Sequence, residues 1–482
     1  MITKKEMVRI NPYLWEIPKS YRHDMNVPCH IYASEKMLDD IINDKSLLQL
    51  INVSALPGII RAACVMPDVH EGYGFPIGGV AATPYPRGII SPGGIGYDIN
   101  CGVRLLKSEH TYRDLEPYIR KLGEHMFFAI PSGVGRSGCI HLSSDQMDKV
   151  LAQGVPWMIK NGFGEKADID FIESGGCLHE ADPSAVSRQA KGRGIDQLGT
   201  LGSGNHFVEI DRVDQIFDVA TAEAYGLFEG QIVVLIHTGS RGLGHQVATD
   251  YIKIILGAMS KYGISVPDRE LACAPLSSKE GADYFGAMSA AANFAWCNRQ
   301  GITDLVRKAW KDVLGKQAGE LSILYDVAHN IAKIEEYTGK DGKTQKIIIH
   351  RKGATRAFGP GNPQVPEIYR PFGQPVIIPG SMGTESFVLA GTNENMNLTF
   401  GSCCHGAGRQ MSRHEARKAV RGDRVLEDLS GRGIIIETDS VQDLAEEAPI
   451  AYKDVNEVVD VVSAAGIARK IAMLKPVMVI KG

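Results

Sequence analysis

QIVVLIHTGSRG, residues 231–242, sets the pattern from which the fold of this chain is read. An unbroken apolar run rich in β-branched residues reads as a buried strand, and it turns abruptly into a polar, glycine-rich segment with His237 at the exit. The same form recurs in ACVMPDVHEGYGFPIGG (63–79), KIIIHRKGATRA (346–357) and PVIIPGSMGTES (375–386). Helical patterns lie between these runs: a stretch around 281–315, another from about 319 to 337, and one following His405. This interleaving predicts an α+β (mixed α/β) fold, with β-sheets at the core flanked by helices and loops from several strand ends converging on one site. No Pro/Ser-rich or charge-block linker divides the sequence and no fixed-period repeat appears, so residues 1–482 are expected to form one large domain.

Composition narrows the class. With 482 residues, 44% hydrophobic content and a formal charge of −4, the chain has ample core and is not expected to be disordered. That charge excludes a wholly basic nucleic-acid coat but leaves room for a local basic groove. The opening segment MITKKEMVRI has no apolar stretch after its lysines. No run approaches the roughly 18 apolar residues of a spanning helix, and a cytoplasmic protein without membrane association is expected. Nine cysteines, an odd number without framework spacing, fit a reducing compartment.

The side chains suited to metal chemistry sit in short glycine-rich islands. They are Asp98 and Cys101 in SPGGIGYDINCGVR, His206 in LGSGNHFVE, His237 in VVLIHTGSRG, His329 in YDVAHNIA and His405 in CCHGAGRQMSR. A thiolate, a carboxylate and several imidazoles suit borderline divalent ions such as manganese, zinc or ferrous iron. Asp98 and Cys101 are three apart, so a bend can aim both at one ion, and a thiolate can bridge two. Alone, each residue has an ordinary structural role: Cys101 as a small buried apolar group, His206 in a turn, His237 as a satisfied histidine, His329 on a helix face. Their company favours metal. Asn205, beside His206, has an amide able to hold a phosphate oxygen.

His405 is set apart by the arginines downstream of it. Arg409, Arg413, Arg417 and Arg421 recur every fourth residue, which on a helix makes a drifting basic stripe. The backbone N–H groups of Gly406, Ala407 and Gly408 at that helix's start would seat a phosphate facing His405; a solvated basic face is the plainer alternative. Familiar nucleotide devices are missing: there is no G-x-x-x-x-G-K-[ST] loop. Neither Lys160-Asn161-Gly162 nor Lys340-Asp341-Gly342 has the K-x-[DN]-G spacing of lysine-based nucleotidyl transfer. A covalent nucleotide would therefore be carried by histidine.

SPGGIGYDINCGVR, LGSGNHF, HTGSRGLGHQ, DVAHNIAK, HRKGATRA, PGSMGT and CHGAGRQMSR, in this order, resemble the RtcB family of RNA-splicing ligases. The matching segments run from about residue 60 to Lys481-Gly482. The resemblance implies joining of RNA 3′-phosphate or 2′,3′-cyclic phosphate ends to 5′-hydroxyl ends in tRNA splicing and RNA repair, with GTP and two manganese ions. It implies that Asp98, Cys101 and His206 hold one ion, that Cys101, His237 and His329 hold the other, and that His405 becomes guanylylated. It further implies guanylate contacts from Asn205, His206, Phe207, Val208, Glu209, His329, Asn330, Pro379, Gly380, Ser381, Met382, Ser386, His405, Gly406, Ala407, Gly408 and Lys481. Asp68 resembles a carboxylate the family keeps near its site, without a firm role, and Cys404 is not counted as a ligand. RNA is the implied partner, archease a possible activator, and a monomer the default state.

Arg351, Lys352, Arg356 and the arginine stripe are the candidates for seating RNA phosphates. Two other readings use the same residues. A dinuclear metal-dependent phosphodiesterase would need the ligands but neither His405 as nucleophile nor Lys481. A non-catalytic RNA-binding or metal-sensing protein would bind RNA without joining it.

Overall fold

The computed structural model describes residues 2–133, 135–339 and 342–482. Lys340 and Asp341 of the Lys340-Asp341-Gly342 triplet lie outside the described residues. The architecture is α+β, as the interleaving of strands and helices predicts.

Two large sheets organise it. One, of seven strands, runs Val8–Asn11, Leu14–Ile17, Cys29–Tyr32, Ala63–His70, Ile77–Pro84, Thr344–Lys352 and Asn330–Thr338. The other follows the order Leu321–Ala328, Gly102–Thr111, Gln231–Thr238, Phe207–Ile216, Ala468–Lys481, Ser386–Gly391 and Pro375–Ile378. Ile435–Thr438 adds to this second sheet in parallel with Ala468–Lys481. Gln231–Thr238 is buried at every position, which explains its continuous apolar run: both faces of this sheet are covered. On one face Val208, Ile232, Val234 and Ile236 pack with the long helix Lys279–Leu314. On the other, Phe207, Val233 and Leu235 pack with Val425 and Leu429 of the helix Gly422–Gly431.

The expected helix near 281–315 is the Lys279–Leu314 helix, started by Ser278, whose hydroxyl accepts from the Gly281 N–H at 3.1 Å. The expected helix from 319 to 337 is not formed. That segment is two strands, Leu321–Ala328 and Asn330–Thr338, one in each large sheet, with His329 the single residue between them. Its Ala, Lys and Glu content favours a helix locally. Pairing overrides that preference, for Leu321 registers with Ser108 and Asn330 with Lys352.

The segment after His405 also departs from expectation. His405 follows the short strand Ser402–Cys404, and helix begins only at Arg413, where Ser412 and Glu415 form a capping box. Gly406–Gly408 therefore do not start a helix. The stripe is broken as well: Arg409 precedes the helix Arg413–Ala419, and Arg421 caps the next one, Gly422–Gly431. No helix among the described residues is long and apolar enough to cross a membrane.

Candidate functional site

Strand geometry brings the islands together. Cys101 immediately precedes the strand Gly102–Thr111, whose Gly102 registers with both Thr238 and Ala328 of the neighbouring strands. Cys101 and His329 are thereby delivered to the same end of the sheet as His237, and Phe207 registers with His237 so that His206 arrives there too. The His329 N–H donates to the Cys101 carbonyl at 2.9 Å, locking the link between the two sheets to the thiol's own backbone. Gly239 permits the close approach of Asp98, since a Cβ there would lie 2.3 Å from its carboxylate.

Two overlapping trios result. Asp98, Cys101 and His206 place one donor atom each within 4.8 Å of one another, and so do Cys101, His237 and His329. Cys101 is common to both. Its sulfur lies 3.5 Å from His206 Nε2 and 3.4 Å from His237 Nε2, and His237 Nε2 is 3.4 Å from His329 Nε2.

The hydrogen bonding around these groups asks for a cation. His206 Nδ1 donates to the Leu201 carbonyl at 3.0 Å, which leaves its Nε2 lone pair facing Asp98 Oδ2, also at 3.0 Å. Two acceptors at that distance need a positive charge between them, supplied by a second ring proton or a metal ion. The Nδ1 atoms of His237 and His329 are buried without a hydrogen-bond partner, while His237 Nε2 turns toward the sulfur and His329 Nε2 toward His237 Nε2. Burial, then the neighbouring imidazoles, hold both rings well below the usual histidine range, so they are neutral and keep lone pairs available. Burial and then the Asp98 charge push the Cys101 thiol up. At Asp98 burial works against ionisation, but the His206 hydrogen bond and charge outweigh it and hold the carboxyl at about 2. The donor set fits a pair of borderline divalent ions sharing one sulfur.

His405 stands beside this cluster, its ring centroid 5.0 Å from that of His329 in an edge-to-face arrangement. The fully buried Asp68 carboxylate holds it: Oδ2 is 2.5 Å from His405 Nδ1 and accepts from the His405 backbone N–H at 3.0 Å. With Nδ1 so engaged, Nε2 is left as the free nitrogen. Gly408, at φ +75°, passes against the Asp68 backbone, where any Cβ would lie 2.1 Å from the Asp68 carbonyl oxygen. Sequence alone assigns Asp68 no firm role. Only the fold brings it to His405, 337 residues away.

Asp98, Cys101, His237, His329 and His405 open on one cavity of about 650 Å³, with Asp68 and His206 behind its wall. A family model described as tRNA-splicing ligase RtcB matches residues 49–482. The chain belongs to the RtcB family. A relative named tRNA-splicing ligase RtcB from Thermococcus kodakarensis is 53% identical over 99% of this chain and 100% of its own length. One of the same name from Archaeoglobus fulgidus is 52% identical over 98% of each chain. A third, from Methanococcus maripaludis, is 48% identical over 99% of this chain and 100% of its own length.

The residues that resemblance to RtcB singles out for the guanylate do not all reach the cavity. Asn205, Phe207, His329, Asn330, Pro379, Gly380, Ser381, Met382, His405, Gly406, Ala407, Gly408 and Lys481 line it. Val208 does not; it packs into the core on the helical side of the sheet. Ser386 is buried behind the Pro379–Met382 loop, its hydroxyl accepting from the Gly380 N–H at 3.0 Å. Glu209 is buried beside Asp211, and burial followed by the Asp211 charge raises its carboxyl well above the usual range. Lys481 registers with Phe207, its ammonium 5.7 Å from that ring's centroid, and burial lowers it against the pull of Glu447 and Glu209. Asn330 ties the site together, donating to the Asp98 carbonyl at 3.1 Å and accepting from the Gly353 N–H at 2.8 Å. Cys404 is buried with its sulfur 3.9 Å from that of Cys403 and joins neither donor trio.

Three of the expected phosphate seats are corrected. Arg351, Lys352 and Arg356 are 0%, 3% and 1% exposed. Arg351 makes a two-pronged ion pair with Glu335 at 2.7 and 2.8 Å, Arg356 bonds Gln374 and Gln364, and Lys352 donates to the Tyr73 and Gly93 carbonyls. They are structural side chains inside the core, and burial lowers the Lys352 ammonium to about 7. The stripe arginines are each paired: Arg409 with Glu447, Arg413 with Glu446 and Glu447, Arg417 with Asp443 and Glu446, Arg421 with Asp423. Arg409 and Arg413 reach the cavity, together with Glu447 and Tyr452, which sequence reading missed.

Proposed function

We propose that this chain is an RNA ligase of tRNA splicing and RNA repair that joins 3′-phosphate or 2′,3′-cyclic phosphate ends to 5′-hydroxyl ends, using GTP and two manganese ions. One observation carries the reading: a histidine with Nδ1 fixed by a buried carboxylate stands edge-on to a double metal-donor cluster in a cavity large enough for a nucleotide. Asp98, Cys101 and His206 would hold one ion, and Cys101, His237 and His329 the other. When bound, the ions neutralise charge on phosphate oxygens and on the leaving group.

The chain's own residues do the rest. Asp68 keeps the His405 Nδ1 proton in place, so the Nε2 lone pair attacks the α-phosphorus of GTP; the N–P bond forms and the bond to pyrophosphate breaks. A 2′,3′-cyclic end is first opened by water to a 3′-monophosphate, the 2′ oxygen taking the proton; an oxygen of the 3′-phosphate then attacks the GMP phosphorus, the P–N bond to His405 breaks and the neutral ring is regenerated. The RNA 5′-hydroxyl attacks the activated phosphorus and expels GMP. Lys481, over the Phe207 ring, and the Pro379–Met382 and Gly406–Gly408 loops would cradle the guanylate. A phosphodiesterase would leave the Asp68–His405 pair without a task, and a binding protein would need no fixed tautomer. Residues 1–482 would act as one cytoplasmic domain, monomeric in sedimentation, with archease as the activator; faster multiple turnover on adding archease is its test.

The reading is tested by incubating the protein with GTP, manganese and two RNA fragments carrying those ends. A GTP-dependent joined product supports it, and RNA retention without joining contradicts it. Asp68→Asn should slow guanylylation on the order of 10²–10⁴-fold, because an amide favours the wrong His405 tautomer; an unchanged single-turnover rate would remove Asp68 from the account. Lys481→Met should weaken guanylylation about 10–100-fold through the loss of a charged contact, and joining of RNA already carrying the guanylate much less. Equal losses in both assays would argue against a guanylate contact.

A further inference from the structure

Arg299 lies in the middle of the helix Lys279–Leu314 with no exposed surface. All five of its N–H donors are engaged. Nε and Nη2 bond Asp326 at 2.8 and 3.0 Å. Nη1 donates to the carbonyls of Asn100 and Thr238 at 2.9 and 2.8 Å, and Nη2 also donates to Asn100 Oδ1 at 3.0 Å. Asn100 precedes Cys101, and Thr238 follows His237. One rigid planar fork thus ties together the two backbone segments that present the shared sulfur and a facing imidazole.

The fork is itself anchored. Asp326 also accepts from Arg104 Nε at 2.8 Å and from Trp296 Nε1 at 3.1 Å. Asn100 sits at φ +52°, a conformation that costs a non-glycine residue free energy and persists where its surroundings impose it. Here the Arg299 bonds and the Asn100 Nδ2 contact to the Ala292 carbonyl at 2.7 Å impose it. The adjacent Asn298 extends the same support: it accepts from the Gly199 and Thr200 N–H groups and donates to the Thr200 and Gly239 carbonyls. Leu201, next to Thr200, supplies the carbonyl that fixes His206 Nδ1.

We propose that Arg299 is a positioning residue that sets the spacing of Cys101 and His237, so that one sulfur can serve two metal ions. The proposal rests on the metal reading above. A lysine keeps the charge but cannot span two carbonyls, an amide oxygen and a carboxylate at once.

The test titrates manganese into metal-free wild type, Arg299→Lys, Asn100→Gly and Cys101→Ser, with circular dichroism to confirm folding and electron paramagnetic resonance of the loaded proteins. Folded Arg299→Lys should bind manganese about 10–100-fold more weakly, as lost outer-shell support does. Its resonance signal should shift from that of a coupled pair toward isolated ions. Asn100→Gly suits the left-handed backbone, removes one acceptor of the fork, and should move both readouts in the same direction by a smaller factor. A merely structural role would lower the melting temperature and leave affinity and signal of the folded protein unchanged, which would overturn the proposal. Should Arg299→Lys fail to fold, Asn100→Gly decides alone. If Cys101→Ser abolishes manganese binding while the folded variants bind like wild type, the Arg299 assignment falls; if Cys101→Ser also binds like wild type, the metal reading falls with it.

Discussion

Cys101→Ser should bind manganese at least about 100-fold more weakly than the wild type at both sites while remaining folded. The sulfur is the one donor common to the two trios, so its loss is felt twice. A hydroxyl is a poor replacement for a thiolate, because it stays protonated at neutral pH and is too hard a donor to bridge two borderline ions. The fold should survive. The new hydroxyl has the His206 and His237 Nε2 atoms around it, at 3.5 and 3.4 Å from the present sulfur, as hydrogen-bond partners. The cost in stability should stay within about 1–3 kcal/mol. Metal content after dialysis, measured beside a thermal melt, checks both halves. Full manganese content in the folded variant would remove Cys101 from the centre of the account.

Much of this site is legible in the sequence, because its parts sit in local patterns. Each of Asp98, Cys101, His206 and His237 stands where a strand meets a glycine-rich turn, and a strand period delivers such residues to one edge. His329 reads as helical because Ala, Lys and Glu surround it; the pairing that makes it the joint between two sheets involves Ser108 and Lys352, which no local window contains. The basic stripe after His405 looks helical by its four-residue spacing, yet the Ser412-x-x-Glu415 capping box is the better marker of where helix begins. Arg351 and Arg356 read as surface cations since charged residues are usually solvated; Glu335 meets Arg351 only across the paired strands Asn330–Thr338 and Thr344–Lys352, and Gln374 reaches Arg356 from a loop 18 residues on. Asn298-Arg299-Gln300, a polar triplet inside an apolar helix, is a readable sign of a buried network, though not of the role it supports. Asp68 and Glu447 have no local signal, for their meaning lies in contacts with His405 and with Lys481 and Arg409.

His405→Ala should abolish covalent capture of GMP and with it all RNA joining, an effect larger than that of any other single change. The ring packs edge-on against His329 at the cavity wall, so its truncation leaves the donor trios in place and the protein folded. The other cavity-lining imidazoles are held differently: His237 Nε2 faces the sulfur, His329 Nε2 faces His237 Nε2, and His70 Nδ1 donates to the Glu71 backbone carbonyl, so among them His405 alone has Nδ1 tied to a carboxylate. The most direct measurement incubates wild type and His405→Ala with manganese and GTP radiolabelled at the α-phosphate. A protein-bound label is expected in the wild type, acid-labile, alkali-stable and absent from His405→Ala. A wild type that stays unlabelled, or a label that persists in His405→Ala, would overturn His405 as the nucleophile.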